Sequence, residues 1–240
     1  ERLVGSEMCI RDRVKKAKYM FKSSKPSIAK VNKKGTVTAK KAGKAVITIT
    51  EKKKAKKKII GKVNVIVKNK KEVKEHGSYT FPVQVSPEAI QSYEQHSFMW
   101  HWHPEIELTY IHKGEMLYKV NQNTFHLKEG QVLFGNANAL HAGYMYHNQD
   151  CQYIPVTFDP KLIYGFPGSI LFQKYTEPIL RSFSLSAVPL DLSMKWHQDA
   201  VEDIRQIIAL DSQRKPMYEF EIIARLQHFW KLLCANTLSQ

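Results

Sequence analysis

Between residues 101 and 114 the chain reads HWHPEIELTYIHKG, and its ligand-type and apolar side chains fall on opposite parities. His101, His103 and Glu107 share one parity; Trp102, Ile106, Leu108 and Tyr110 share the other. Side chains alternate between the two faces of an extended strand. The spacing therefore predicts one continuous strand from Met99 to Ile111, with three polar groups facing one way. A half-solvated strand does not combine so apolar a face with so ligand-like a one. The pattern suits a barrel wall, polar toward an interior pocket and apolar toward a further layer outside.

Short strands are expected to follow this one, at Met116–Val120, Thr124–Leu127, Gln131–Phe134, His141–Tyr146 and Gln152–Phe158. Turn signals separate them: Lys113-Gly114, Asn121-Gln122-Asn123, Lys128-Glu129-Gly130, Asn136-Ala137-Asn138 and His147-Asn148-Gln149-Asp150. Many short strands at such spacing predict a sandwich or small barrel. The pattern then changes to helical. Trp196, Ala200, Ile204 and Ile207 or Ile208 form one stripe over 196–210; Phe220, Ile223, Leu226 or Gln227, Trp230 and Leu233 form another over 217–234. The connection Asp211–Pro216 is short, which predicts an antiparallel pair, with Pro216 in the first turn of the second helix.

Three imidazoles and a carboxylate, His101, His103, His141 and Glu107, could hold a divalent metal such as Fe, Mn, Ni or Zn with positions left open. They could instead hydrogen-bond to one another inside a polar barrel, or bind ligand hydroxyls directly. His112, His126 and His147 are expected on the surface or in loops.

The run from His101 to Gly114 has the spacing H-x-H-x3-E-x6-G and resembles the first motif of the cupin superfamily. A second motif is kept at Gly130 and His141 and altered at Asn136, Asn138 and Met145. The longer text PVQVSPEAIQSY, then HWHPEIELTYIHKGEMLYKVNQNTFHLKEGQVLFGNANALHAG, resembles the sensor domain of AraC-family transcription regulators over about residues 75–235. Glu107, Gly114, Val120, Asn121, Leu127, Gly130 and His141 carry that likeness. It implies a cupin-type β-barrel (a double-stranded β-helix) that binds a small-molecule effector, often a sugar, with aromatic stacking. Trp100, Trp102, Tyr118 and Tyr144 are the candidate rings. It also implies no enzymatic activity, a homodimer formed through helices 196–210 and 217–234, a cytoplasmic location, and DNA contact through helix-turn-helix units beyond residue 240.

Charge divides the chain. Residues 1–74 hold 25 Lys and Arg against 5 Asp and Glu, a net of +20, and residues 75–240 hold 12 against 17, a net of −5. So sharp a shift predicts two unrelated modules. In 14–68, Thr36–Ala39 and Ala45–Thr50 read as strands after turns at Gly35 and Gly43, and Val63, Val65 and Val67 share a face. The text FKSSKPSIAKVNKKGTVTAKKAGKAVITI resembles the bacterial Ig-like domain (group 2), which implies a partial β-sandwich and a cell-surface binding role. Residues 1–13 read either as translated sequencing-adapter text, which SEMCIRDR resembles, or as a disordered terminus, and no function is assigned to them. No arginine lies between Arg13 and Arg181, so the lysines suit a solvated sheet face better than base readout.

The expected organisation is 1–13, an Ig-like segment 14–70, a cupin barrel 75–165 and a helical region 166–240. No apolar run is long enough to span a bilayer, and Cys9, Cys151 and Cys234 show no CxxC pattern. Exported Ig-like modules and cytoplasmic regulators conflict, so a chimeric reading frame of metagenomic origin, truncated at both ends, is expected. The alternatives are a metal-dependent cupin enzyme, an isomerase or dioxygenase, and a cell-surface Ig-like binding module.

Overall fold

The computed structural model describes residues 7–9, 19–39, 43–52, 57–67, 71–72 and 74–238. They divide into two compact units, Glu1–Lys70 and Lys71–Gln240. In the first, β1 (Glu7–Cys9), β4 (Thr36–Ala39) and β3 (Ala29–Val31) form one sheet; β2 (Tyr19–Ser23), β5 (Gly43–Lys52) and β6 (Lys57–Val67) form another. Ala29, Val37, Ala45, Ile47 and Val65 make its small core. Val63 packs against that core, whereas the side chain of Val67 lies outside the described residues.

Residues 1–13 differ from expectation in one respect. Glu7–Cys9 pairs antiparallel with Thr36–Thr38. A strand edge carries unpaired N–H and C=O groups that any extended segment can satisfy, so pairing here needs no hydrophobic period in the added strand. The remainder of that segment lies outside the described residues.

The second unit holds two antiparallel sheets. The larger has the order β16-β13-β10-β15-β7, with β8 on β15. Its strands are β7 (Val83–Val85), β8 (Glu88–Ala89), β10 (Ile106–Lys113), β13 (Val132–Gly135), β15 (Gln152–Phe158) and β16 (Ala187–Leu190). The smaller has the order β12-β11-β14-β9, from β9 (Ser97–His101), β11 (Glu115–Val120), β12 (Asn123–Lys128) and β14 (His141–Met145). Together they make the cupin-type barrel.

Period-two alternation is strict on the larger sheet. Ile106, Leu108 and Tyr110 of β10, Val132 and Phe134 of β13, and Ile154, Val156 and Phe158 of β15 all pack on one outer cluster. Their neighbours Ile111, Leu133 and Tyr153 join the inner cluster with Met116, Tyr118, Val120 and Leu127. Both faces of the sheet are buried, which is why its strands are apolar on either parity. The turn from β10 into β11 requires Gly114: its φ is +83°, and a Cβ there would sit 2.7 Å from the carbonyl oxygen of Asp150.

The single strand expected from Met99 to Ile111 is broken. β9 ends at His101 and β10 begins at Ile106. Pro104 has no N–H to give to a ladder, and the chain passes at this corner from the smaller sheet to the larger. The region 166–240 is not wholly helical either, because β16 lies within it and pairs with β13.

Short helices α1 (Lys161–Tyr164) and α2 (Glu177–Leu180) precede the long α3 (Lys195–Gln213) and α4 (Tyr218–Thr237). Ala200, Val201, Ile204 and Ile207 of α3 cover the outer face of the larger sheet, joined by Ile222, Leu226, Phe229, Trp230 and Leu233 of α4. Of the α4 stripe expected, Leu226, Trp230 and Leu233 are buried, but Phe220 is 74% exposed and Gln227, the alternative to Leu226, is also exposed. Ile222, Leu226, Phe229 and Leu233 satisfy the same helical period, and contact with the sheet selects between the two. Pro216 lies in the connection rather than in α4, where Arg214 and Met217 take positive φ. No described helix is long and apolar enough to cross a membrane.

Candidate functional site

Glu107 projects inward from β10 as the partner in alternation of outward Ile106 and Leu108. Its Oε1 accepts hydrogen bonds from Tyr118 Oη and Thr109 Oγ1, both at 2.7 Å. Its Oε2 faces His103 Nε2 at 3.5 Å and His141 Nε2 at 3.9 Å. His141 opens β14 opposite both Val120 and His101, which brings two histidines of the smaller sheet together. The rings of His101 and His141 lie 4.2 Å apart, and those of His103 and His141 lie 5.0 Å apart.

The tautomers follow from the acceptors. His101 Nδ1 lies 2.8 Å from the Met99 carbonyl and His141 Nδ1 lies 2.9 Å from that of Ala139. A carbonyl only accepts, so each Nδ1 carries the proton and each neutral Nε2 presents a lone pair. His103 faces a carboxylate at each nitrogen, Glu105 at 3.4 Å from Nδ1 and Glu107 at 3.5 Å from Nε2, so these contacts favour a proton on both nitrogens rather than one tautomer. Imidazole ligands of metals are commonly held by such outer hydrogen bonds.

The lone pair on His141 Nε2 thus faces the Glu107 carboxylate. Among the described residues, both ring nitrogens of His103 and Nε2 of His141 are buried without a hydrogen-bond partner. A proton or a cation between these atoms removes the conflict. The electrostatics agree. Burial works to lower His103, but the carboxylates of Glu107, Glu105 and Glu72 outweigh it and raise its pKa. Burial works to raise Glu107, but His103, His141 and the Tyr118 hydroxyl hold it well below the usual carboxylate range. Burial pushes His141 down to about 4, against the pull of Glu107 and with the help of the other two histidines.

The donor set fits a divalent cation. Ligand atoms of His101, His103 and His141 lie within 4.8 Å of one another, and mixed imidazole and carboxylate sets suit Zn, Fe, Ni and Mn. A bound cation would supply positive charge to polarise an anionic or hydroxylated ligand. Glu107 would then be oriented by Tyr118 and Thr109 rather than by the histidines alone.

Beside this set opens a cavity of about 240 Å³. Its walls include Gln84, Ser86, Glu88, Thr157 and the rings of Tyr93, Phe98 and Tyr153, along with His101 and Glu107. The aromatic candidates named from resemblance do not line this cavity, although Tyr118 reaches the site beside it. Tyr118 is buried and committed to Glu107. Tyr144 follows the outward parity of Leu117 and Lys119, with Lys119 Nζ 4.8 Å from its ring. Trp102 is half-buried, with Lys71 Nζ 5.8 Å from its ring; neither Trp102 nor Tyr144 lines the cavity. His112, His126 and His147 are exposed.

Sequence reasoning passed over the aromatic walls, because Tyr93 and Phe98 lie in a stretch with no sustained period. It also passed over Glu72 and His76. Glu72 lies before the boundary placed at residue 75, in a lysine-rich run that reads as a linker. Burial tends to raise Glu72, but its hydrogen bond to His76 and the nearby His101 and His103 hold it below the usual value.

Residues 89–207 match the family model of the AraC-like ligand binding domain, and residues 11–63 match that of the bacterial Ig-like domain (group 2). An uncharacterized HTH-type transcriptional regulator of Bacillus subtilis (strain 168), YdeC, is 29% identical over 172 residues. That alignment covers 72% of this chain and 58% of the relative, so the chain spans less than two thirds of its curated relative. Among solved structures, apo ToxT from Vibrio cholerae is 9% identical with a TM-score of 0.43, covering 67% of this chain and 57% of that one. The AraC-like transcriptional activator CuxR is 9% identical with a TM-score of 0.39, covering 82% and 53%. A predicted oxalate decarboxylase from Thermotoga maritima is 28% identical with a TM-score of 0.25, covering 26% and 55%. Residues 89–207 therefore match an AraC-like ligand binding domain, on a cupin-type barrel, and the bacterial Ig-like (group 2) match at residues 11–63 precedes them in sequence.

Proposed function

We propose that residues 71–238 are the effector-sensing part of a transcription regulator and act without catalytic turnover. The cavity beside the His/Glu set carries this reading. Its 240 Å³ lies below the roughly 300–1,000 Å³ of drug-sized ligand sites, so it suits a small molecule. Gln84, Ser86, Glu88 and Thr157 offer donors and acceptors for several hydroxyls, and Phe98 offers a ring face. A monosaccharide or sugar acid is the class this wall chemistry favours. DNA contact, in this reading, belongs to a helix-turn-helix module of the kind named in the Bacillus relative, and the regulator works in the cytoplasm.

Thermal-shift screening against monosaccharides, sugar acids and other small polyols tests the proposal. A ligand at one hundred times its Kd should stabilise the fold by about 2.7 kcal/mol, and Q84A and E88Q should remove the effect. Turnover of such a compound by metal-loaded protein would instead support the second reading, a metal-dependent cupin enzyme, which the donor geometry of His101, His103, Glu107 and His141 favours.

Dimerisation is proposed through the outward faces of α3 and α4, since their buried stripes cover the barrel sheet. Phe220 is 74% and Met217 is 70% exposed at the start of α4. Sedimentation should show a dimer that F220D dissociates; an unchanged dimer would place the contact elsewhere. A separate origin for the Ig-like segment, by joining of two reading frames, is proposed from the charge shift near residue 70. Single long reads crossing that point, recurring in independent samples, would establish a true fusion instead.

A further inference from the structure

A second carboxylate, that of Glu72, lines the same cavity as Glu107. Its Oε2 lies 3.0 Å from His76 Nε2 and 3.7 Å from His101 Nε2. His101 Nδ1 is committed to the Met99 carbonyl, so the neutral ring presents a lone pair at Nε2 to a second carboxylate. The same conflict that surrounds Glu107 is repeated here with a different residue.

The segment bearing Glu72 is held in place. Lys71 bridges Trp102 in parallel, and the Glu72 N–H donates to the Trp102 carbonyl at 2.9 Å. His76 has a side chain only 7% exposed, and its ring centroid lies 4.8 Å from that of His103. Ligand atoms of Glu72, His76 and His103 also lie within 4.8 Å of one another. His103 is 3% exposed with both nitrogens unpartnered, and it belongs to both groups.

We propose that Glu72 is a fifth metal-facing ligand, positioned by a hydrogen bond from His76, so that one divalent cation is held by three histidines and two carboxylates. Two carboxylates balance the charge of a divalent ion. A set of five disfavours closed tetrahedral zinc and favours ions that accept five or six ligands, such as Mn, Fe, Co or Ni. Metal binding thereby depends on a residue outside the barrel strands.

Titration of the whole chain with Co²⁺, followed by visible absorption and calorimetry, tests this. Wild type should bind one ion with the weak absorption of five- or six-coordinate cobalt. E72Q should bind about 10–100-fold more weakly, with stronger absorption as the coordination number falls. H76A should weaken binding to a smaller degree, and H76Q, whose amide can still donate to Glu72, should recover it. H103A should abolish binding, and circular dichroism confirms that each variant is folded. Wild-type affinity and spectrum in E72Q, with H103A inactive, would overturn the role of Glu72 alone. No stoichiometric binding by wild type would overturn the metal reading and this proposal together.

Discussion

Tyr118 donates its phenolic hydroxyl to Glu107 at 2.7 Å, and both side chains are buried. Tyr118 comes from the smaller sheet and Glu107 from the larger, so this bond ties the barrel's two walls at the site. A hydrogen bond to a charged acceptor contributes about 1.5–3 kcal/mol. Y118F should lower the unfolding free energy by that amount in urea titration, while E107A, which also strands His103 and His141, should cost about 3–5 kcal/mol. Equal stability for Y118F and wild type would remove Glu107 as the organising charge.

His141 gives metal-free protein a pH dependence. Its folded pKa of about 4 lies below the ordinary histidine value of 6.5. The unfolded chain therefore binds more protons between these values, and stability falls as pH drops from about 6.5 to about 4, by roughly 3 kcal/mol. His103 is raised, so its contribution is present below the unfolded value and is lost as pH rises through its folded pKa. Glu107 is depressed, and its contribution fades only at more acid pH. Urea midpoints at pH 7 and pH 4.5, with chelator present, should differ for wild type and converge in H141F.

Gly143 is required for space. A Cβ at that position would lie 2.2 Å from Phe98 Cε1 and 2.5 Å from Met116 Cε. G143A should destabilise by about 1–3 kcal/mol through overpacking, and F98L should restore part of the loss. Additive losses in the double variant would show that the two side chains do not compete for the same volume.

Asp203 joins the helices. It is 2% exposed, with His228 Nδ1 at 2.6 Å and Arg225 Nη1 at 3.4 Å. Its partners reach solvent while it does not. Removing both partners in R225A/H228A strands a buried charge and should cost about 3–5 kcal/mol. D203N leaves partners that water can solvate and should cost only about 1–2 kcal/mol. The reverse order, in denaturant titration, would contradict the assigned burial.

Much of this architecture was legible because the informative signals are local. Alternation along Ile106–Ile111 separates inward Glu107 and Thr109 from outward Leu108 and Tyr110 whatever the chain does elsewhere. The strand Gln152–Phe158 could be bounded because turn residues precede it and it is rich in aromatic and β-branched residues. The α4 stripe was legible at Leu226, Trp230 and Leu233 and misread at Phe220, because two apolar faces share the helical period and only contact with the sheet distinguishes Ile222 from Phe220.

The sequence by itself determined the residue types at the site, the inward parity of Glu107, the presence of a helical pair and the charge division near residue 70. The tertiary structure decided their convergence. His101, His103 and Glu107 meet across a corner at Pro104 rather than along one strand. His141 joins them through its pairing with Val120 and His101. Glu72 enters through a single bridge to Trp102. Alternation depends on neighbours one bond away, whereas these meetings depend on pairing between segments distant in the chain, which no local period encodes.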